Sequence, residues 1–158
     1  MITKSMQDAI NEQINKELFS AYLYLSMSAH FEAHNLGGFA KWLRVQANEE
    51  REHAMKFFDH VLERGGQVAL KAIDAPAGTW KSNLEAFKEV EAHEQMITAS
   101  IHKLYEVALK EKDYAAQIML QWFIYEQVEE EKNAAEIVSQ LEMIDAHGTA
   151  VLMLDKQL

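Results

Sequence analysis

Apolar residues recur at steps of three and four through most of the chain, and polar residues fill the remaining faces; that period predicts helices. Four long segments carry it, from about Lys4 to His34, Gly38 to Arg64, Ser82 to Lys110 and Tyr114 to Ala146. Gly37-Gly38 separates the first two, and Gly65-Gly66 stops the second. Ser82 with Glu85 reads as a capping box opening the third. Gly148 ends the fourth, and a short apolar tail, Val151-Leu152-Met153-Leu154, follows.

The connections predict the architecture. The first and second segments, and the third and fourth, are joined by only a few residues, which forces antiparallel neighbours. The middle connection, Gly65 to Lys81, is long and holds the only Pro, Pro76. An extended stretch of that length reaches about 55–60 Å, enough to run beside a helix of roughly 40–45 Å. The predicted fold is all-α: a four-helix bundle of two antiparallel hairpins joined by one long crossover, in a single domain over residues 1–158.

Composition narrows the picture. One Pro and six Gly in 158 residues are too few turn formers for a sandwich or barrel. The absence of Cys removes disulfides, thiolate metal sites and thiol nucleophiles, and fits a reducing, cytoplasmic setting. A formal net charge of −10 excludes nucleic acid as the natural partner and suits cations. No apolar run has the length of a membrane span, and the first ten residues do not read as a signal peptide.

The predicted core stripes carry charges that ordinary packing does not explain. Their interruptions are Glu17 on the first helix, Glu50 and His53 on the second, Glu94 on the third, and Gln127 and Glu130 on the fourth. No Lys or Arg lies on a stripe to pair with four inward carboxylates, and each unpaired buried charge costs several kcal/mol. A bound cation accounts for all of them together. Counted along the helices, Glu17, Glu50 and Glu94 fall at one depth within about 8 Å. Glu50 and His53 form a Glu-x-x-His pair on one helix face. A set rich in oxygen, with one nitrogen and no sulfur, suits iron(II) or manganese. Of the run Glu129-Glu130-Glu131, only Glu130 takes the inward position, because successive residues turn by about 100°. Glu49, Glu126 and Glu129 flank the stripes, where a weaker cation site and plain surface exposure are equally consistent with the spacing. His30 and His34 read as exposed helix residues.

The segments NEQINKELFSAYLYLSMS, ANEEREHAMKF, EAHEQMIT and QWFIYEQVEEEKN, one from each helix, resemble the ferritins, specifically the haem-free bacterial type. Glutamates and Glu-x-x-His motifs projecting into a bundle are themselves a known pattern of ferritin-like di-iron proteins. The resemblance implies a ferroxidase centre in which Glu17, Glu50 and His53 hold one iron and Glu50, Glu94 and Glu130 a second. It places Gln127 beside the metals as a hydrogen-bonding group and Tyr24 near the centre. It assigns Glu49, Glu126, Glu129 and Glu130 to a third iron site. It also implies a short fifth helix after Gly148, no haem, and a twenty-four-subunit homo-oligomeric cage that oxidises iron(II) with dioxygen or peroxide and stores iron(III) mineral. Asn133, three residues after Glu130, departs from the second Glu-x-x-His of symmetric di-iron proteins, and Arg51 stands where bacterioferritin carries its haem-binding Met. A di-iron oxygenase or peroxidase acting on another substrate, and a metal-free helical scaffold, are the competing readings.

Overall fold

The computed structural model describes residues 1–144 and 147–158. Five helices follow in order, α1 (Lys4–Ala33), α2 (Gly37–Glu63), α3 (Asn83–Lys110), α4 (Tyr114–Ile144) and α5 (Gly148–Gln157), with no strand among the described residues. The expected end of the fourth helix at Ala146 lies outside the described residues. None of the described helices is long and apolar enough to cross a membrane.

Several helix ends have a local cause. Thr3 caps α1 by accepting from the Met6 amide, and Ser82 caps α3 by accepting from the Glu85 amide. The reciprocal half of the expected box is displaced by one residue, because the Glu85 carboxylate accepts from the amide of Lys81 instead of Ser82. The C-terminal ends of α1, α2 and α3 share one device. Asn35, Gly65 and Lys112 take positive φ, and the next residue's amide returns to the carbonyl five positions back: Leu36 to Phe31, Gly66 to Val61 and Asp113 to Ala108. Only the Gly65 case carries the usual glycine signal.

The crossover is fastened along α1. The Gln67 amide donates to Gln7 Oε1 at 2.8 Å, Asn11 Nδ2 donates to Gln67 O at 3.0 Å, and Ser26 Oγ donates to Ala77 O at 2.6 Å. Trp80 reaches His30 near the far end of α1, with ring centroids 5.3 Å apart. The connection therefore travels the length of the bundle, which makes α2 and α3 parallel, as its length predicted.

Two apolar clusters fill the bundle. One gathers Leu23, Phe31, Phe39, Phe87 and Ile137, and the other gathers Ile10, Phe57, Ile97, Leu120 and Phe123. On every long helix the buried residues between the two clusters are polar, with Ala54 the one exception: Glu17 and Ser20, Glu50 and His53, His93 and Glu94, Gln127 and Glu130. The core is thus split by a polar layer at mid-height. At one end, α5 docks on the start of α2, where the Phe39 amide donates to Asp155 Oδ1 at 2.9 Å. A Cβ at Gly38 would fall 1.6 Å from Asp155 O, so this approach requires glycine there.

Candidate metal centre

The polar layer brings Glu17, Glu50, His53, Glu94 and Glu130 together, every one of them 5 % exposed or less. Helical spacing delivers them: each stands on the inward stripe of its own helix, and Glu50 and His53 are one turn apart on α2. Two overlapping trios form. Glu17, Glu50 and His53 offer ligand atoms within 4.8 Å of one another, and so do Glu50, Glu94 and Glu130. Glu50 belongs to both and sits where a bridging carboxylate would.

No Lys or Arg is buried among the described residues, so these carboxyls lack counter-charges. Burial pushes the Glu17 carboxyl up to about 7, against hydrogen bonds from its neighbours that pull it down. Burial, then the charges of Glu94 and other carboxylates, pushes Glu130 up to about 9. Glu50 and Glu94 are raised for the same leading reason. Burial, with Lys56 adding repulsion, lowers His53 to about 4, so its imidazole is neutral and able to bind a cation at neutral pH. Two carboxylate oxygens in the layer, Glu17 Oε2 and Glu50 Oε1, are buried and have no hydrogen-bond partner. Unpartnered buried oxygens in a site without cationic side chains fit a divalent metal.

Tyr24 is fully buried and donates its hydroxyl hydrogen to Glu94 Oε1. Burial raises its phenol well above 10, so it remains a donor. Gln127 Nε2 lies 3.1 Å from Glu94 Oε2, 3.3 Å from Glu94 O and 3.1 Å from Thr98 Oγ1. Its nitrogen is therefore committed to Glu94 and Thr98, and it orients a carboxylate from beside the two trios.

A third trio consists of His53, Glu126 and Glu130. Glu126 is half-buried and opens onto a cavity of about 360 Å³ beside His53, with Glu49, Glu52 and Trp122 on its walls. Lys56 Nζ lies 4.1 Å from the centre of the Trp122 ring, which meets His53 edge-on. Glu49 and Glu129 are exposed and join no trio, although the charges of both bear on Glu130. Of the four carboxylates expected at the third site, the structure brings Glu126 and Glu130 together, with His53.

Sequence reasoning missed several polar residues in this layer. His93 is buried, and its Nε2 shares a hydrogen bond of 2.7 Å with Ser20 Oγ, which also lies 3.0 Å from Lys16 O. Its ring meets Tyr24 edge-on at 5.8 Å. Gln13 is buried and donates to Glu17 Oε1 at 2.8 Å. His30, expected to be exposed, is buried because Phe31 and the crossover residue Trp80 cover it. Its partner His34 is exposed. Glu131, beside the inward Glu130, is half-buried.

Comparison with known proteins agrees with the fold. Residues 7–144 match the family model of the ferritin-like domain. The chain is 40 % identical over 158 residues to a bacterial non-heme ferritin of Bacteroides fragilis, covering 100 % of this chain and 98 % of that one. It is 35 % identical over the same length to a bacterial non-heme ferritin of Staphylococcus aureus, covering 95 % of that chain. Among solved structures, an open pore ferritin from the hyperthermophilic archaeon Archaeoglobus fulgidus superposes with a TM-score of 0.97 at 50 % identity, covering 99 % of this chain and 95 % of that one. A closed form of the Archaeoglobus fulgidus ferritin engineered by mutagenesis superposes with a TM-score of 0.98 at 50 % identity, covering 99 % and 96 %.

Proposed function

The chain belongs to the ferritin family, and from that premise we propose that it is a cytoplasmic iron storage protein that oxidises iron(II) at a paired-metal centre inside each subunit. Glu17, Glu50 and His53 hold one iron(II), and Glu50, Glu94 and Glu130 hold the other. Each iron(II) gives one electron to dioxygen or peroxide, and the iron(III) passes on to a stored mineral. The carboxylates neutralise the incoming charge and surrender their protons as the metal enters. Tyr24 and Gln127 keep both oxygens of Glu94 aimed. Glu126, with Glu130 and His53 and with Glu49 and Glu129 nearby, takes a third, weaker-held iron.

The observation that carries this reading is the pair of unpartnered oxygens on Glu17 and Glu50 in a buried layer without a counter-cation. Self-association into a twenty-four-subunit cage is part of the same proposal. It is supported by an apolar stripe left exposed on α4, Tyr114, Ile118, Trp122, Tyr125 and Val128, and by Leu152 and Met153 on the outer side of α5. The test is anaerobic loading with iron(II), then admission of dioxygen, with iron per subunit and particle mass followed together. Retention of many iron(III) ions per subunit in a particle near twenty-four copies is the expected result. Two irons per subunit in a dimer, with turnover of an organic substrate, would instead identify a di-iron oxygenase or peroxidase.

A further inference from the structure

Glu17 is the innermost end of a hydrogen-bonded chain that begins at the protein surface. Lys16 Nζ, exposed on α1, lies 2.8 Å from Ser100 Oγ on α3. Ser100 Oγ lies 2.6 Å from Gln13 Oε1, and Gln13 Nε2 lies 2.8 Å from Glu17 Oε1. The chain crosses from α1 to α3 and back, and its direction is not free. An ammonium group can only donate, so Ser100 accepts from Lys16 and spends its single hydrogen on Gln13 Oε1. That pins the Gln13 amide, whose nitrogen must then face Glu17. Glu17 Oε1 is held as an acceptor, and Oε2, which has no partner, is left facing the metal position.

Resting on the ferroxidase reading above, we infer that Gln13, Ser100 and Lys16 are positioning residues that set the rotation of the Glu17 carboxylate and so the affinity of the Glu17–Glu50–His53 half of the centre. Glu17 belongs to one metal trio, whereas Glu50 belongs to two. Glu94 already has Tyr24 and Gln127 to orient it. Apart from its contact with Glu50, itself a ligand of that half, Glu17 has this chain alone to orient it, so breaking it acts chiefly on one metal position. Gln13 is 2 % exposed, and its amide would have no other reason to point both ways across the helix pair.

The experiment is a cobalt(II) titration of the assembled, iron-free protein, read by visible absorption and by calorimetry. Cobalt(II) reports coordination at each position without being oxidised. Gln13→Leu is expected to weaken one of the two cobalt(II) sites by about tenfold, the scale on which ligand-orienting hydrogen bonds act, and to leave the second unchanged. Ser100→Ala is expected to weaken the same site and Ser100→Thr, which keeps the hydroxyl, to restore it. Lys16→Met is expected to act in the same direction and Lys16→Arg to be near parental. Parental affinity at both sites in Gln13→Leu, or equal weakening of both, overturns the inference. Glu17→Ala in parallel identifies the affected site. A parental protein that takes up no cobalt(II) pair overturns the proposed function and this inference with it, whereas a parental pair unaltered in Gln13→Leu overturns the inference alone.

Discussion

His53 Nε2 lies 3.9 Å from Glu126 Oε1, while Nδ1 of the same ring lies 3.3 Å from Glu50 Oε2. One imidazole therefore stands between the paired-metal trios and the third trio. Exchanging Glu49 and Glu126 together for Gln is expected to change iron stoichiometry or turnover while the two-iron centre stays filled, since Glu17, Glu50, Glu94 and Glu130 are untouched. Metal-soaked crystals of the double variant would check it. Loss of all metal would show that Glu126 holds His53 in place for the main centre and is no accessory ligand.

His53 supplies the only nitrogen of the layer's trios, and Glu94 is the anchor of the second. His53→Ala and Glu94→Ala are each expected to slow initial iron(II) oxidation by about tenfold or more. Stopped-flow absorbance after mixing with dioxygen measures it. Parental initial rates in both variants would remove these residues from the centre.

The raised carboxyls predict how stability follows pH. A carboxyl raised on folding binds more protons in the folded chain than in the unfolded one. Its contribution is complete below the unfolded value of 4.5 and disappears as pH rises through the folded value, about 7 for Glu17 and about 9 for Glu130. The metal-free protein is expected to lose melting temperature between about pH 6.5 and about pH 9, above the range in which the lowered His53 and His93 oppose the fall, and Glu130→Gln to flatten that fall while melting near the parent at the acid end. Zinc(II) binding near neutral pH is expected to release protons, which calorimetry in buffers of different ionisation enthalpy detects. A metal-free melt that climbs with pH across this window contradicts the assignment.

Arg64 and Asp113 make a structural prediction away from the metals. Arg64 Nη1 lies 2.7 Å from both oxygens of Asp113, and Asp113 Oδ1 also accepts from the Ala116 amide at 3.0 Å. One carboxylate thus caps α4 and joins the end of α2 to it. Burial alone would raise the Asp113 carboxyl, but Arg64 and the Ala116 amide outweigh that and lower it. Asp113→Ala is expected to cost about 3 kcal/mol, because it removes a cap and strands a half-buried guanidinium. Asp113→Asn, which keeps an acceptor for the cap, is expected to cost less. Equal losses in denaturant titrations of the two variants would show that the cap contributes nothing beyond the ion pair.

The stripes were legible because a residue's inward position follows from its own helix. Glu17, Glu50, His53, Glu94, Gln127 and Glu130 could be picked out by steps of three and four without knowing any neighbour, and all are buried. What could not be read was anything set by the register between helices. Gln13 and Ser100 meet only because α1 and α3 pack at one particular height, and His93 is buried by what lies across from it, Ser20 and Phe19. His30 lost its exposure to a residue of the crossover, whose path sequence fixes in length but not in contact. The caps at Asn35 and Lys112 were hidden for another reason: the left-handed turn is imposed by closing a short helical hairpin, and no glycine marks it.

The polar layer is divided between the hairpins. The first supplies Glu17, Glu50 and His53, and the second supplies Glu94, Gln127 and Glu130, with the exposed crossover as their only covalent tie. A filled centre is therefore also a seam, in which metal ions do the work of a cross-link between two halves of the polypeptide. Were the chain opened within the crossover, the first half would keep the Glu17–Glu50–His53 trio whole, only the Glu50–Glu94–Glu130 trio of the paired centre would span the cut, and reassociation of the fragments would rise and fall with metal concentration.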